Sequence, residues 1–414
     1  MSKSKISNAF IVAAALVCAG AAASLAQSGA TRPRRVNPAP QPVATSPAPP
    51  ASDEPAASAP AATTRARPAT PAARTAAPAS DTARAFSLFQ QKQFDAALAE
   101  ARKATSADPK NSEGWKIAGF AEMELKRYAD AATDLQRALE LQRAEGAEDA
   151  NTSDALATAY VRTEKYAEAL PLLVAATTRK GAKPDAITFY YRGLSEFRTN
   201  KTAEAERSFN EAVKLDPKNA ASLYYLGRLA FDRKDNDAAV NFLNRATAAN
   251  AQFAEAWTYL AHAYLRRGAA SGEGPKADAD YQGAVRASEA LMRLRSDEPA
   301  VLLHGQALIN AKLYARAAVV LERAAAGDAA KGETLYLLGF AYTQAKNHLK
   351  AVAALERAAV KMPEDANVYR FLGYNHQLLK QYAKALAAYE RGMALAPDDP
   401  YFKEAADQVR PFAK

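Results

Sequence analysis

The chain has 414 residues, a formal net charge of +9, 49% hydrophobic residues and one cysteine, Cys18. Residues 1–80 carry +6 of that charge, which leaves only +3 on the rest; a nucleic-acid reader would concentrate Lys and Arg on its folded face, so no nucleic-acid partner is expected. A single cysteine excludes a disulfide framework and a thiolate metal site in the folded region.

Lys3 and Lys5 precede an apolar run from Ala9 to Ala23, and Ser24, Leu25 and Ala26 then put small residues where a signal peptidase reads. Residues 1–26 are therefore expected to be a signal peptide, cut after Ala26, and the mature protein to be periplasmic or secreted. The alternative is anchorage to the inner membrane by an uncleaved N-terminal segment, although the run is barely long enough to span. The mature chain should hold no transmembrane segment. From residue 27 to residue 80 the composition shifts to Ala, Pro, Ser, Thr and Arg without an aromatic residue. Such a stretch buries too little apolar surface to offset its ordering entropy, so a disordered Ala/Pro-rich linker is expected there.

From Asp81 to Pro397 a pattern of 34 residues recurs. Gly or Ala returns at one fixed place: Ala85, Gly119, Ala157, Gly193, Gly227, Ala261, Gly305, Gly339 and Gly373. A second small residue follows twelve positions later in most units (Ala97, Ala131, Ala239 and Ala351 among them) and a third seven positions beyond that. Within one unit, Leu223, Leu226 and Gly227 lie at helical spacing, Lys234 to Asn236 break it, and Ala238, Ala239, Phe242, Leu243 and Ala246 form a second apolar stripe. Each unit therefore reads as two helices and a turn, and the fold class as all-α, a solenoid over residues 81–414. The units are drawn at 78–111, 112–145, 150–183, 186–219, 220–253, 254–297, 298–331, 332–365 and 366–399, with a capping helix in 400–414. Extra residues fall near Gly146 to Asp149, at Pro184 and Asp185, and inside the sixth unit, where Arg266 to Asp278, with Gly268, Gly272, Gly274 and Pro275, is expected to form a long flexible loop.

No catalytic motif stands out. There is no His-Glu-x-x-His, no Gly-x-Ser-x-Gly and no Walker loop, and Gly272-x-Gly274 lacks the remaining spacing of a phosphate loop. His262, His304, His348 and His376 fall in four successive units and read as ordinary interior or groove histidines. The expectation is a binding protein, not an enzyme, with no catalytic residue, cofactor or metal.

The residues of the repeat resemble the tetratricopeptide-repeat family. Trp115 and Trp257 stand at the bulky opening position. Leu226-Gly227, Leu338-Gly339 and Leu372-Gly373 supply the Leu-Gly pair, and Tyr160, Tyr264 and Tyr342 the tyrosine of the first helix. Phe94, Tyr128, Tyr166, Tyr314 and Tyr382 open the second helix, and Pro217, Pro363 and Pro397 end units. The resemblance implies a right-handed superhelical solenoid whose first helices line a concave groove. It places groove residues at the second, fifth, ninth and twelfth positions of a unit. These include Phe86, Phe89, Lys116, Phe120, Tyr190, Leu194, Phe197, Tyr224, Arg228, Phe231, His262, Tyr336, Phe340, Arg370 and Tyr374. Tyr190, Tyr224, Arg228 and Phe231 would be the centre of a partner-binding groove. Lys116 matches one position of the family's carboxylate clamp, but Phe120 stands where an Asn is needed, which argues against a chaperone-tail receptor. The implied function is a protein–protein interaction scaffold of exported bacterial type, binding an unidentified component of the cell envelope. The alternative is a polysaccharide-binding or export-associated protein that stacks groove aromatics on a glycan.

Overall fold

The computed structural model describes residues 81–413; the expected signal peptide (1–26) and linker (27–80) lie outside the described residues. Among the described residues there are nineteen α-helices and no strand. They run in pairs. The first three are α1 (Asp81–Gln90) with α2 (Phe94–Ala107), α3 (Ser112–Glu124) with α4 (Tyr128–Ala144), and α5 (Ala150–Arg162) with α6 (Tyr166–Thr178). Next come α7 (Ala186–Arg198) with α8 (Thr202–Leu215), α9 (Ala220–Asp232) with α10 (Asn236–Ala249), and α11 (Ala254–Ser271) with α12 (Pro275–Leu294). The last are α13 (Glu298–Asn310) with α14 (Tyr314–Ala324), α15 (Gly332–Gln344) with α16 (His348–Lys361), and α17 (Ala366–Leu378) with α18 (Tyr382–Leu395). A single helix, α19 (Pro400–Val409), follows.

The recurrent small residue is the lock within each pair. A Cβ placed on Gly227 would stand 2.6 Å from Leu243 Cγ, and on Gly119 2.5 Å from Leu135 Cγ. Gly305 and Gly339 meet Leu321 and Leu355 in the same way, Gly193 meets Phe209, and Gly373 meets Tyr389. In every case the partner is the residue sixteen positions later, on the second helix of the same unit. The absent side chain lets the two backbones approach until the partner's side chain fills the gap, which gives the close packing of a protein interior.

The turn inside the pair is equally regular. Lys92, Lys126, Glu164, Asn200, Lys234, Lys312, Lys346 and Lys380 all have φ between 59° and 64°. In each, the amide of that residue and the next bond back into the first helix, as in Lys234 N–H to Phe231 O and Asp235 N–H to Ala230 O. This is the six-to-one and five-to-two pairing that closes a helix end, achieved here without glycine. Between units, Asn111, Asp149, Asp185, Asn219, Asp297, Asp365 and Asp399 cap the next first helix by accepting from a backbone amide of its first turn.

The sixth unit departs from expectation. No long loop spans Arg266 to Asp278: α11 and α12 are simply longer, and only Gly272 to Gly274 link them. The extension is a packed hairpin because two glycines face two tyrosines reciprocally. Gly268 receives Tyr281 and Gly283 receives Tyr264, at 2.7 and 2.8 Å from the position a Cβ would take. Asp280 is buried and takes two hydrogen bonds from Arg267, at 2.6 Å from Nη2 and 3.1 Å from Nε. The four extra residues from Gly146 to Asp149 are not helical and link α4, which ends at Ala144, to α5, which starts at Ala150.

Successive first helices touch one another along the array, and each second helix packs between its own partner and the next first helix. First helices therefore form the inner row that the resemblance implied. At the far end, Phe402 of α19 fills the space beside Gly392 of α18, and Phe402, Ala405, Ala406 and Val409 bury against Tyr389 and Ala385.

Candidate functional site

The inner row is not uniformly open. Across α7, α9 and α11 its aromatic residues interlock. Tyr190 and Phe197 lie 6.3 and 5.2 Å from Tyr225, and Tyr224 lies 4.8 Å from Phe253 and 5.7 Å from Tyr259 (ring centroids). Phe231 meets Tyr259 edge-on at 5.5 Å. Arg228 is sandwiched between the Phe197 ring at 4.9 Å and the Tyr259 ring at 5.6 Å, and Arg266 stacks 3.6 Å over Phe231. Tyr224 is only 6% exposed, and burial raises the Tyr190 and Tyr224 hydroxyls above the ordinary tyrosine range. In the stretch expected as the centre of the partner groove, Tyr224 is thus buried, while Tyr190, Arg228 and Phe231 pack against neighbouring rings and stay half-buried. Truncating Tyr224 would remove core packing as well as any ligand contact.

The other expected groove residues divide similarly. Leu194, Tyr336 and Phe340 are buried; Tyr336 and Phe340 pack on Phe371 of the next first helix, at 5.9 and 5.1 Å. His262 is held well below the usual histidine range, at about 4, by burial and by the nearby Arg266 charge, so it is neutral near pH 7. Arg370 pairs with Asp399 and stacks on Tyr401 at 4.5 Å and Phe402 at 5.1 Å, so it fastens the last helix. Tyr374 is half-buried, with its hydroxyl raised by burial. His304, His348 and His376 bond Ser288, Asn375 and Gln381 through Nδ1, as interior histidines do. Among the described residues no group of His, Cys, Asp and Glu is placed to hold a metal ion.

An opening lies at the N-terminal end of the row. Phe86 and Phe89 of α1, Lys116, Ile117 and Phe120 of α3, and Asp149 and Asn151 at the start of α5 line a cavity of about 290 Å³. Phe89 touches Phe120 at 6.3 Å and forms the floor, while Phe86 is 46% exposed. Lys116 Nζ lies 2.6 Å from Glu113 and 3.4 Å from Asp149, so its charge is already matched at the rim. Lys116 and Phe120 were expected here, and Phe86 and Phe89 fall on the same spacing. Asn151 also sits at a second position, so the spacing could have found it. Ile117 lies off that spacing, and Asp149 enters as the residue that caps α5, one place before its unit begins.

Two models of the tetratricopeptide repeat match the chain, one at residues 82–149, 155–220 and 190–252, the other at 366–399. Neither is a catalytic family. No curated protein matches. Solved structures that resemble the chain include YrrB, described as a tetratricopeptide-repeat protein with an unusual peptide-binding site. It is 16% identical over 49% of this chain and 99% of its own, with a TM-score of 0.41. MamA residues 41 to the end, from Desulfovibrio magneticus RS-1, are 24% identical over 44% of this chain and 96% of theirs, at a TM-score of 0.38. A tetratricopeptide-repeat protein from Parabacteroides merdae ATCC 43184 is 16% identical over 63% of this chain and 98% of its own, also at 0.38. Scores of this size say nothing about a ligand. The matched residues therefore carry tetratricopeptide repeats, and the same paired-helix solenoid runs on through the described residues between them.

Proposed function

We propose that this protein is an exported scaffold that holds a segment of another protein along its inner helices, with one large apolar side chain of that segment seated between α1, α3 and α5. The cavity carries this reading. Its volume of about 290 Å³ suits a single bulky side chain, near the low end of ligand pockets at about 300–1,000 Å³. Phe86 offers an open ring at the mouth, and aromatic anchors of this kind usually carry most of an interface's energy. The matched charge on Lys116 disfavours a free carboxylate tail as the ligand. Placement in a bacterial cell envelope, in the periplasm or secreted, rests on Lys3, Lys5, the apolar run and Ser24-Leu25-Ala26. A polysaccharide partner would stack on several open ring faces in a row; Tyr224, Tyr336 and Phe340 have theirs against neighbouring side chains, and the open ring of Phe86 stands at a cavity lined by Phe89, Ile117 and Phe120, which suits an apolar side chain better.

The test is selection of displayed peptides on the purified protein, followed by titration of the best binder against the native chain and Phe86→Asp. Because Phe86 is nearly half exposed and stands at the mouth of the cavity, the variant should fold normally and lose at least about thirtyfold in affinity, the weight of one hot-spot residue. Equal affinity would move the site away from this cavity. N-terminal sequencing of the protein from its native source tests export: a mature chain beginning near Gln27 is expected, and recovery of Met1 would sink it.

A further inference from the structure

Behind the cavity two carboxylates are shut away from water. Glu122 of α3 and Asp134 of α4 are each 2% exposed, and one cation serves both. Arg102 of α2 donates from Nη2 to Glu122 Oε1 at 2.8 Å and from Nη1 to Asp134 Oδ1 at 3.0 Å. Arg102 Nη2 also lies 2.8 Å from Asp134 Oδ2 as an ion pair, but neither that oxygen nor Glu122 Oε2 has a donor in hydrogen-bond geometry. The other charge that bears on the pair is Asp130, on α4, which is negative as well. Two ionised carboxylates against one guanidinium leave an uncompensated buried charge, which is costly.

The repeat itself contains the balanced version of this site. In the fourth unit, Glu196 stands at the repeat position of Glu122 and is likewise 2% exposed. At the position of Asp134 that unit has Ser208, whose hydroxyl donates to Glu196 Oε2 at 2.6 Å, while Arg192 Nε donates to Glu196 Oε1 at 2.8 Å. One carboxylate, one guanidinium and one O–H donor satisfy that unit. The second unit puts a carboxyl in the donor's place. A protonated carboxyl supplies the missing O–H, and an ionised one supplies only another acceptor.

We propose that Glu122 and Asp134 share one proton when the first two units are closed, and that its loss loosens the packing of α2, α3 and α4, making the cavity end of the array pH-responsive. Burial first and the negative Asp134 second push the Glu122 carboxyl up to about 7, and burial raises Asp134 as well. For a carboxyl raised on folding, the stabilisation is full below the unfolded value near 4.5 and is lost as pH climbs through about 7. Between pH 5.5 and pH 8 that corresponds to a loss of roughly tenfold or more in the closed-to-open ratio.

Hydrogen exchange on the full chain at those two pH values, corrected for intrinsic rates, reads this locally. Amides of α3 and α4 should lose about tenfold or more in protection at pH 8, while those of α15 and α16 should not. Asp134→Ser, which copies the fourth unit, and Glu122→Gln should each hold α3 and α4 protected at pH 8. Wild-type protection that does not change with pH in α3 and α4 would overturn the proposal. So would variants that lose protection at both pH values, because the pair would then be an ordinary ion triad.

Discussion

Substituting Gly227 tests the packing rule that builds every unit. The Cβ of Gly227→Ala would stand 2.6 Å from Leu243 Cγ and 3.3 Å from Leu243 N. Carbon atoms in contact prefer about 3.5–4.0 Å, so α9 and α10 must separate by close to 1 Å locally. Leu243 is fully buried and has nowhere to retreat. Overpacking of this kind costs about 1–3 kcal/mol, while replacing a mid-helix Gly by Ala returns about 1 kcal/mol of helix propensity. The net expectation is a loss of up to about 2 kcal/mol for Gly227→Ala and more than about 3 kcal/mol for Gly227→Leu. Leu243→Ala alone should cost about 2–5 kcal/mol by leaving a cavity. The first unit already contains an Ala85 and Ala101 pair, both fully buried, at these two positions. The double variant Gly227→Ala with Leu243→Ala should therefore be less damaged than the two single losses summed, by about 1–3 kcal/mol. Hydrogen exchange of α9 and α10 amides in the full chain gives each free energy locally, which matters because long repeat arrays need not unfold in one step. Stabilisation by Gly227→Ala, with simple additivity in the double variant, would refute the close-approach argument.

Three further outcomes follow from the same structure. Phe402→Ala empties the space beside Gly392 and should cost the ninth unit about 3–5 kcal/mol, seen as faster exchange in α17 and α18 with α1 to α4 unchanged. Lys234→Gly relieves a left-handed backbone at a residue with a side chain, and the urea midpoint should stay level or rise, with a gain of up to about 1 kcal/mol; a fall would mean the lysine side chain holds the turn. His262 is kept neutral by burial, so its contribution is present above about 6.5 and lost as pH falls towards about 4; His262→Gln should flatten the acid limb of the melting curve, and an unchanged limb would rule this out.

Much of the architecture was legible because steric rules repeat. A position that tolerates only Gly or Ala, returning every 34 residues, marks where a second helix must lie, and the structure names its partner as the residue sixteen places on. Helical period also placed Lys116 and Phe120 on the inner row. It did not reveal that Tyr224 would be buried and Tyr190 and Arg228 half-buried, because period fixes the face of a helix and not what packs against it. Phe253 at the end of the same unit and Tyr259 of the following one lie on Tyr224, Tyr259 also lies on Arg228, and Tyr190 meets Tyr225 of the unit after its own. The sixth unit misled for a related reason. Gly268 and Gly272 looked like loop residues, yet Gly268 is the close-approach partner of Tyr281, a pairing 13 residues apart that lies outside the regular register. Asp149 was counted among inserted residues, although it holds the capping place that Asn111, Asp185 and Asn219 hold before their own helices.

Because each helix packs almost entirely on the one or two helices before and after it, the described residues hold almost no contact between distant parts of the sequence. Chain closure is therefore cheap at every step, and the contact order stays low however many units are added. A growing chain can consolidate one hairpin against the previous one without waiting for its far end. The same locality sets a limit: a break in the middle leaves two arrays that each hold together, and no part of the sequence far away can rescue a unit that has failed.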